Sequence, residues 1–267
     1  MSVSIGGLFL AGVVPGILIA GSQMIAVYAF AKIYNYPLYT RSSLKEFLGA
    51  LFYAVPPLIT PLIIVGGIVG GFFTPTEASV IAVLYSLGLG GLFYRTINFH
   101  NISSILFNSA KFAAMSLFCI GTASAFGWLL AYFKIPLAVV AFLEPYGVGP
   151  TSTGLIVAGS FLLIGMFIDA IPAIIILGTV LWPLAEVSNM HPIHFAIIGI
   201  ISLAFGLVTP PYGLCLLIAC KIGEIEVKKA LRDVSIVLMP MLIVLLIVIF
   251  FPELILALPK MLMAKFI

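Results

Sequence analysis

The sequence predicts an all-α polytopic membrane protein, and three observations carry that reading. Of its 267 residues 63% are hydrophobic and 8% charged, against about 25% charged in ordinary soluble domains. Stretches free of Asp, Glu, Lys and Arg recur at 1–31, 47–76, 145–168, 187–220 and 234–252. Several exceed the ~18 residues at which an apolar run reads as a membrane-spanning helix. Apolar and polar residues do not alternate strictly, as they would in a transmembrane β-barrel.

The same composition excludes other classes. The net charge of +3 is no nucleic-acid signature, because the basic residues sit in short loops, as the positive-inside rule describes. Cys119, Cys215 and Cys220 lie within apolar runs without metal-type spacing, so they read as small hydrophobes. The N-terminal Met-Ser-Val-Ser-Ile-Gly-Gly lacks the basic region of a signal peptide.

Residues 5–31 form the first span, ended by Lys32 and a polar loop, Tyr34 to Ser43, with Pro37 and Arg41. Residues 43–54 read as a short interfacial helix, capped by Ser42 or Ser43, with Lys45 and Glu46 on its polar side. Pro56 and Pro57 open the next span, which runs to about Phe73 and is rich in glycine. Thr74-Pro75-Thr76-Glu77 then spells a helix start. Thr74 is the N-cap, Pro75 the first helical residue, and Glu77 complements the positive helix end. That helix ends at Arg95. Residues 103–133 form a long helix whose middle, Gly121 to Gly127, is small and polar, suited to close packing or to lining a pathway. Lys134, Glu144, Pro145 and Pro150 mark an aqueous turn.

Residues 152–188 hold two short apolar arms, Leu155–Ile168 and Ile171–Leu184, around Gly165 and the lone carboxylate Asp169. The first arm is short for a span. The pattern fits a re-entrant hairpin tipped inside the membrane, or a single kinked helix with Asp169 at its aqueous end. An intramembrane carboxylate is by default a functional candidate. The run from Phe195 to Cys220 is long enough to cross a bilayer, but Gly206-Leu-Val-Thr-Pro-Pro-Tyr-Gly213 interrupts it. Pro210 and Pro211 remove two amide donors and clash with the preceding turn. Two half-helices with an unwound joint are expected, and such a joint at membrane depth points to a transporter's ion or substrate site. A charged loop, Lys221 to Asp233, and a last span from Val234 to about Phe251 follow.

Lys32, Arg41, Lys45, Arg95, Lys221, Lys228, Lys229 and Arg232 fall on one side, and Lys134, Lys260 and Lys265 on the other. This asymmetry puts the mouth of the 152–188 hairpin and the C-terminus on the periplasmic side. Three regions follow: spans and an interfacial helix over 1–150, hairpin and broken helix over 151–233, and a C-terminal span over 234–267.

At 70–78 (Gly-Gly-Phe-Phe-Thr-Pro-Thr-Glu-Ala), 165–169 (Gly-Met-Phe-Ile-Asp) and 206–213, the chain resembles the large membrane subunit of tripartite ATP-independent periplasmic (TRAP) transporters. Leu-Phe-Leu-Ala-Gly-Val-Val-Pro-Gly at 8–16 matches a mid-chain segment of the same family. The resemblance spans essentially the whole chain but covers only the second of the family's two inverted halves plus the junction between them. It implies a truncated frame, a split gene or a partial gene model.

The resemblance further implies a bacterial inner-membrane importer with an elevator motion, driven by sodium and carrying organic acids such as sialic acid or C4-dicarboxylates. Its partners would be a small Q-type membrane subunit, a periplasmic binding protein, the N-terminal half of the large subunit and the lipid bilayer. No cofactor other than the coupling ion is implied. One sodium site would use Gly165, Gly206, Thr209 and Tyr212, mostly through main-chain carbonyls. Oxygen ligands suit a hard cation, and unwound carbonyls supply them without a buried charge. Asp169 would support the tip by capping the second arm. Thr74, Pro75, Glu77, Pro210, Pro211 and Gly213 would be structural parts of the motifs.

The rival class is an intramembrane enzyme built on Asp169 with His191 and His194. A lone aspartate lacks the second carboxylate that aspartyl chemistry needs, and two histidines flanking Pro192 do not make a three-ligand metal site. A non-functional fragment and a different ion-coupled elevator carrier also fit the same pattern of spans.

Overall fold

The structure, a computed structural model, describes residues 3–35, 42–98 and 100–262. Pro37, Arg41 and Lys265 lie outside these. The described chain is all-helical, and six of its helices are long and apolar enough to cross a membrane.

α1 (Ile5–Ile33) starts at Ser4, whose hydroxyl accepts from the Gly7 amide. α2 (Leu44–Val69) starts at Ser43 in a reciprocal capping box with Glu46. It does not stop at Pro56. The expected interfacial helix and the following span are one continuous 26-residue helix. Pro57 has no amide to offer the Tyr53 carbonyl, and the Tyr94 hydroxyl donates to that carbonyl instead. The Tyr85 hydroxyl reaches the neighbouring Pro56 carbonyl at 3.0 Å. Two tyrosines, Tyr85 from the next helix and Tyr94 from just beyond its C-terminal π-turn, therefore hold the proline-weakened turn. Tyr94→Phe should lower the stability of this helix pair by about 1 kcal/mol. Tyr85→Phe should cost less, because the Pro56 carbonyl still faces the Thr60 amide along the helix. Thermal unfolding in detergent compares the two.

α3 (Pro75–Gly88) begins at Thr74 and runs into a π-turn over Leu89–Phe93. α4 (Ile102–Tyr132) follows. The turn expected between Lys134 and Pro150 contains a helix, α5 (Ile135–Leu143). Lys134 adopts a left-handed conformation, φ 57°, that ends α4 and redirects the chain, and Pro136 seeds the new helix. Nine apolar residues between turn signals are too few to show a period. Within α4, Ala123 and Gly127 are buried, with Gly127 facing Thr179 and Ile175 of α7, whereas Gly121, Thr122 and Ser124 are exposed.

α6 (Pro150–Gly165), α7 (Ala170–Val187) and α8 (Pro192–Gly206) form the centre. A Cβ on Gly154 would meet Ile198 and Met190, one on Gly199 the Phe161 ring, and one on Gly165 the Leu203 carbonyl. These contacts climb both helices together, so α6 and α8 run parallel, with α7 returning between their ends. Glycine lets the two backbones approach closely. α8 is the most enclosed helix: Phe195, Ile198 and Leu203 are at most 2% exposed. α1, α10 (Val227–Phe250) and α11 (Pro252–Leu262) close the core around it. Gln23 of α1 donates to the Val237 carbonyl of α10 at 2.9 Å.

Lys228, Lys229, Arg232 and Asp233 are not loop residues. They occupy the first turns of α10, which starts at Val227 after Glu226 in extended conformation. α10 ends at Phe250, next to the Phe251 end expected for the last span, because Phe251 leaves the helical region with φ −120° and ψ 71°; Pro252 then begins a further helix, α11.

Candidate functional site

The hairpin tip is the four-residue turn 166–169 between α6 and α7. The helix break is the stretch 207–213 between α8 and α9 (Leu214–Ile222). Both interruptions expected from sequence are therefore present, and they touch. A Cβ on Gly206 would lie 2.6 Å from the Leu162 carbonyl oxygen, 2.8 Å from the Gly165 Cα and 2.9 Å from the Gly165 carbonyl carbon. A Cβ on Gly165 would lie 2.9 Å from the Leu203 carbonyl oxygen. Only glycine fits on either side, since the obstacles are main-chain atoms.

The break is folded tightly upon itself. The Gly206 carbonyl accepts from the Thr209 amide at 3.0 Å, and the Thr209 carbonyl from the Gly213 amide at 3.2 Å. The Leu207 carbonyl accepts from the Cys215 amide, tying α9 to the end of α8. A Cβ on Gly213 would strike the Leu207 and Thr209 carbonyl oxygens at 2.7 and 2.8 Å, which explains the last glycine of the motif. The Pro210–Pro211 peptide is cis. The Thr209 hydroxyl donates to the Phe205 carbonyl at 2.6 Å, so its oxygen keeps its lone pairs for an acceptor role.

Of the four residues expected at one cation, the structure joins Gly165 and Gly206 directly and hydrogen-bonds Thr209 to Gly206. It brings Tyr212 to the tip through its ring, which lies 5.6 Å from that of Phe167. The ring thus has a packing role beyond the backbone role expected for Tyr212. Phe167, Leu162 and Leu203 were not singled out from sequence, because apolar residues in apolar runs carry no local mark. Among the described residues, no backbone amide donates to the carbonyls of Gly165, Met166, Phe167 or Ile168, nor to those of Val208, Pro210, Pro211 or Tyr212. Two short segments of unwound backbone with open acceptors thus meet at one junction.

Asp169 sits at the N-cap position of α7 in extended conformation, as expected, but its carboxylate makes no capping bond and is exposed. An N-cap side chain serves the amides two and three residues on. The second of these is Pro172, which has none. Support of the tip by backbone hydrogen bonds from Asp169 is therefore not observed.

Thr74, Pro75 and Glu77 form a complete cap. The Thr74 hydroxyl accepts from the Glu77 amide at 3.3 Å, and the Glu77 carboxylate accepts from the Thr74 amide and hydroxyl at 2.8 and 2.9 Å. His191 and His194 are engaged with backbone, at the Ile193 amide and the Val248 carbonyl. Among the described residues no three His, Cys, Asp or Glu side chains cluster as metal ligands.

Residues 1–254 match the family model described as "Tripartite ATP-independent periplasmic transporter, DctM component". The chain is 33% identical over 258 residues to the sialic acid TRAP transporter large permease protein SiaM of Vibrio cholerae, covering 97% of this chain and 60% of that protein. It is 34% identical over 257 residues to the C4-dicarboxylate TRAP transporter large permease protein DctM of Pseudomonas aeruginosa, covering 96% and 60%. It is 32% identical over 250 residues to the isethionate TRAP transporter permease protein DctMQ of Oleidesulfovibrio alaskensis, covering 93% and 39%. The chain spans about 60% of the length of the first two.

Proposed function

The chain belongs to the DctM-component family of tripartite ATP-independent periplasmic transporters, and on that premise we propose that it works within the large permease subunit of a sodium-coupled organic-acid importer. It is a multi-pass membrane protein with six candidate spans. The observation that carries the reading is the Gly165–Gly206 junction, where a hairpin tip and a helix break meet backbone to backbone. Unwound carbonyls at such a junction suit a hard monovalent cation. In this reading Gly165, Gly206, Thr209 and Tyr212 supply the oxygens, and sodium binding closes the joint around the cargo.

The cargo is an organic acid. The relatives' names give sialic acid, C4-dicarboxylate and isethionate. Residues 151–233 form the moving unit of an elevator, residues 1–150 supply mainly scaffold, and α10 and α11 follow at the C-terminal end, with the C-terminus periplasmic. The remaining portion of the large subunit forms the opposite, inverted half. A small membrane subunit and a periplasmic binding protein complete the assembly. The exposed small and polar face of α4, with Gly121, Thr122 and Ser124, suits protein packing better than lipid.

The test is uptake of labelled organic acids into liposomes containing the chain joined to the rest of a large subunit, with the small subunit and the binding protein added outside. Uptake should require an inward sodium gradient and be absent with the chain alone. Solute accumulation by the isolated chain, or accumulation indifferent to sodium, would contradict the proposal.

A further inference from the structure

At the opposite end of α6 and α8 from the cation junction lies a cavity of about 240 Å³. Thr151 of α6, Asn189 and His191 of the α7–α8 link, His194 of α8 and Glu253 of α11 line it. His191 is the N-cap of α8: its Nδ1 accepts from the Ile193 amide at 3.2 Å. We propose that His191 is a proton-operated latch, capping α8 when neutral and releasing the first turn of that helix when protonated.

The geometry allows only one state to cap. To accept from an amide, Nδ1 must carry its lone pair, which leaves the ring proton on Nε2. Protonation places an N–H against the Ile193 N–H and a positive charge at the positive end of the helix dipole. The neighbours make the charged state worse. α11 presents Lys260, which is paired with Glu253 at 2.9 Å. α8 itself presents His194, held by the Val248 carbonyl of α10 at 2.9 Å. At the cavity α6 presents only Pro150 and Thr151, and α10 only Ile249. Burial, and then the Lys260 charge, hold the His191 imidazole below its ordinary value of 6.5.

The folded state therefore takes up the proton less readily than the unfolded chain. The cap is fully present above pH 6.5 and is lost as pH falls from there through the lowered pKa of the folded state. The α7–α8 link joins the hairpin to the broken helix, so acid loosens the seam between the two elements that meet at the junction.

Asparagine caps helices well and does not titrate in this range. The experiment is amide hydrogen exchange of the segment 191–197, corrected for intrinsic exchange rates, at about pH 7.5 and pH 5.5. The purified chain and its His191→Asn variant are compared. Wild-type protection should fall about fivefold on acidification, the loss of one cap, while His191→Asn stays constant. His191→Asp, another good cap that remains ionised over this interval, should behave like His191→Asn and serves if that variant does not fold. Constant protection in the wild type would overturn the proposal. So would an equal fall in the capped variants, which would assign the effect to a group other than His191, with His194 the nearest imidazole.

Discussion

Gly206→Val should abolish uptake in the complete transporter, and Gly206→Ala should already suffice, because the offending atom is the first carbon of the side chain. That carbon would sit 2.6 Å from the Leu162 carbonyl oxygen and 2.8 Å from the Gly165 Cα. Both obstacles are backbone, so no rotamer change relieves them. Either α8 moves off α6, or the tip moves off the break. Overpacking of this kind costs about 1–3 kcal/mol and sometimes more. At about 1.4 kcal/mol per factor of ten, affinity at the site then drops about 5- to 150-fold. Gly159→Ala on α6, the helix against which Gly206 of α8 packs, is the control: a Cβ there meets nothing within 4 Å. A helix-interior Gly→Ala change in open space is neutral or mildly stabilising. Thermal unfolding and uptake, measured on all three variants, separate a local clash from a general intolerance of α6 and α8 to substitution.

Thr209→Ala should raise the sodium concentration for half-maximal uptake about tenfold while leaving the fold intact. The fold is spared because the Phe205 carbonyl, which loses the Thr209 hydroxyl, still accepts from the Val208 amide at 3.1 Å. Sodium binding is not spared, because the variant removes an oxygen from the proposed ligand set. A charge-assisted polar contact is worth about 1.5–3 kcal/mol, so tenfold is the low end of the expected loss. Thr209→Ser keeps the oxygen and should restore wild-type sodium dependence. An unchanged sodium requirement in Thr209→Ala would remove Thr209 from the site.

Both interruptions were legible in the sequence for the same reason. Pro210 and Pro211 remove amide donors within an apolar run, and Gly165 with Asp169 divides another, so the defects announce themselves locally. The capping residues Thr74 and Glu77 were legible too, since capping depends on residues three apart, and of the two serines that could cap the second helix, Ser42 and Ser43, the structure uses Ser43. What stayed hidden depends on partners distant in sequence. Pro56 and Pro57 looked like a helix boundary, but a hydroxyl some forty residues on, that of Tyr94, satisfies the freed Tyr53 carbonyl. α5 was hidden by its brevity. The Phe167–Tyr212 contact joins two segments whose proximity no local pattern encodes. Asp169 shows the reverse failure. Its position as N-cap was right, but Pro172 three residues on withholds one of the two amides an N-cap side chain can serve, and the carboxylate makes no bond to the other.

The most direct test of the cation junction is sodium-dependent thermal stabilisation of the large subunit with both halves present. A ligand that binds only the folded state stabilises it by RT ln(1 + [L]/Kd). The unfolding temperature should therefore rise with sodium chloride but not with equal potassium or choline chloride. Thr209→Ala should displace that sodium curve to higher concentration, parallel to the wild-type curve. The same rise with all three salts, or identical sodium curves for wild type, Thr209→Ala and Gly206→Ala, would contradict a sodium site at Gly165–Gly206.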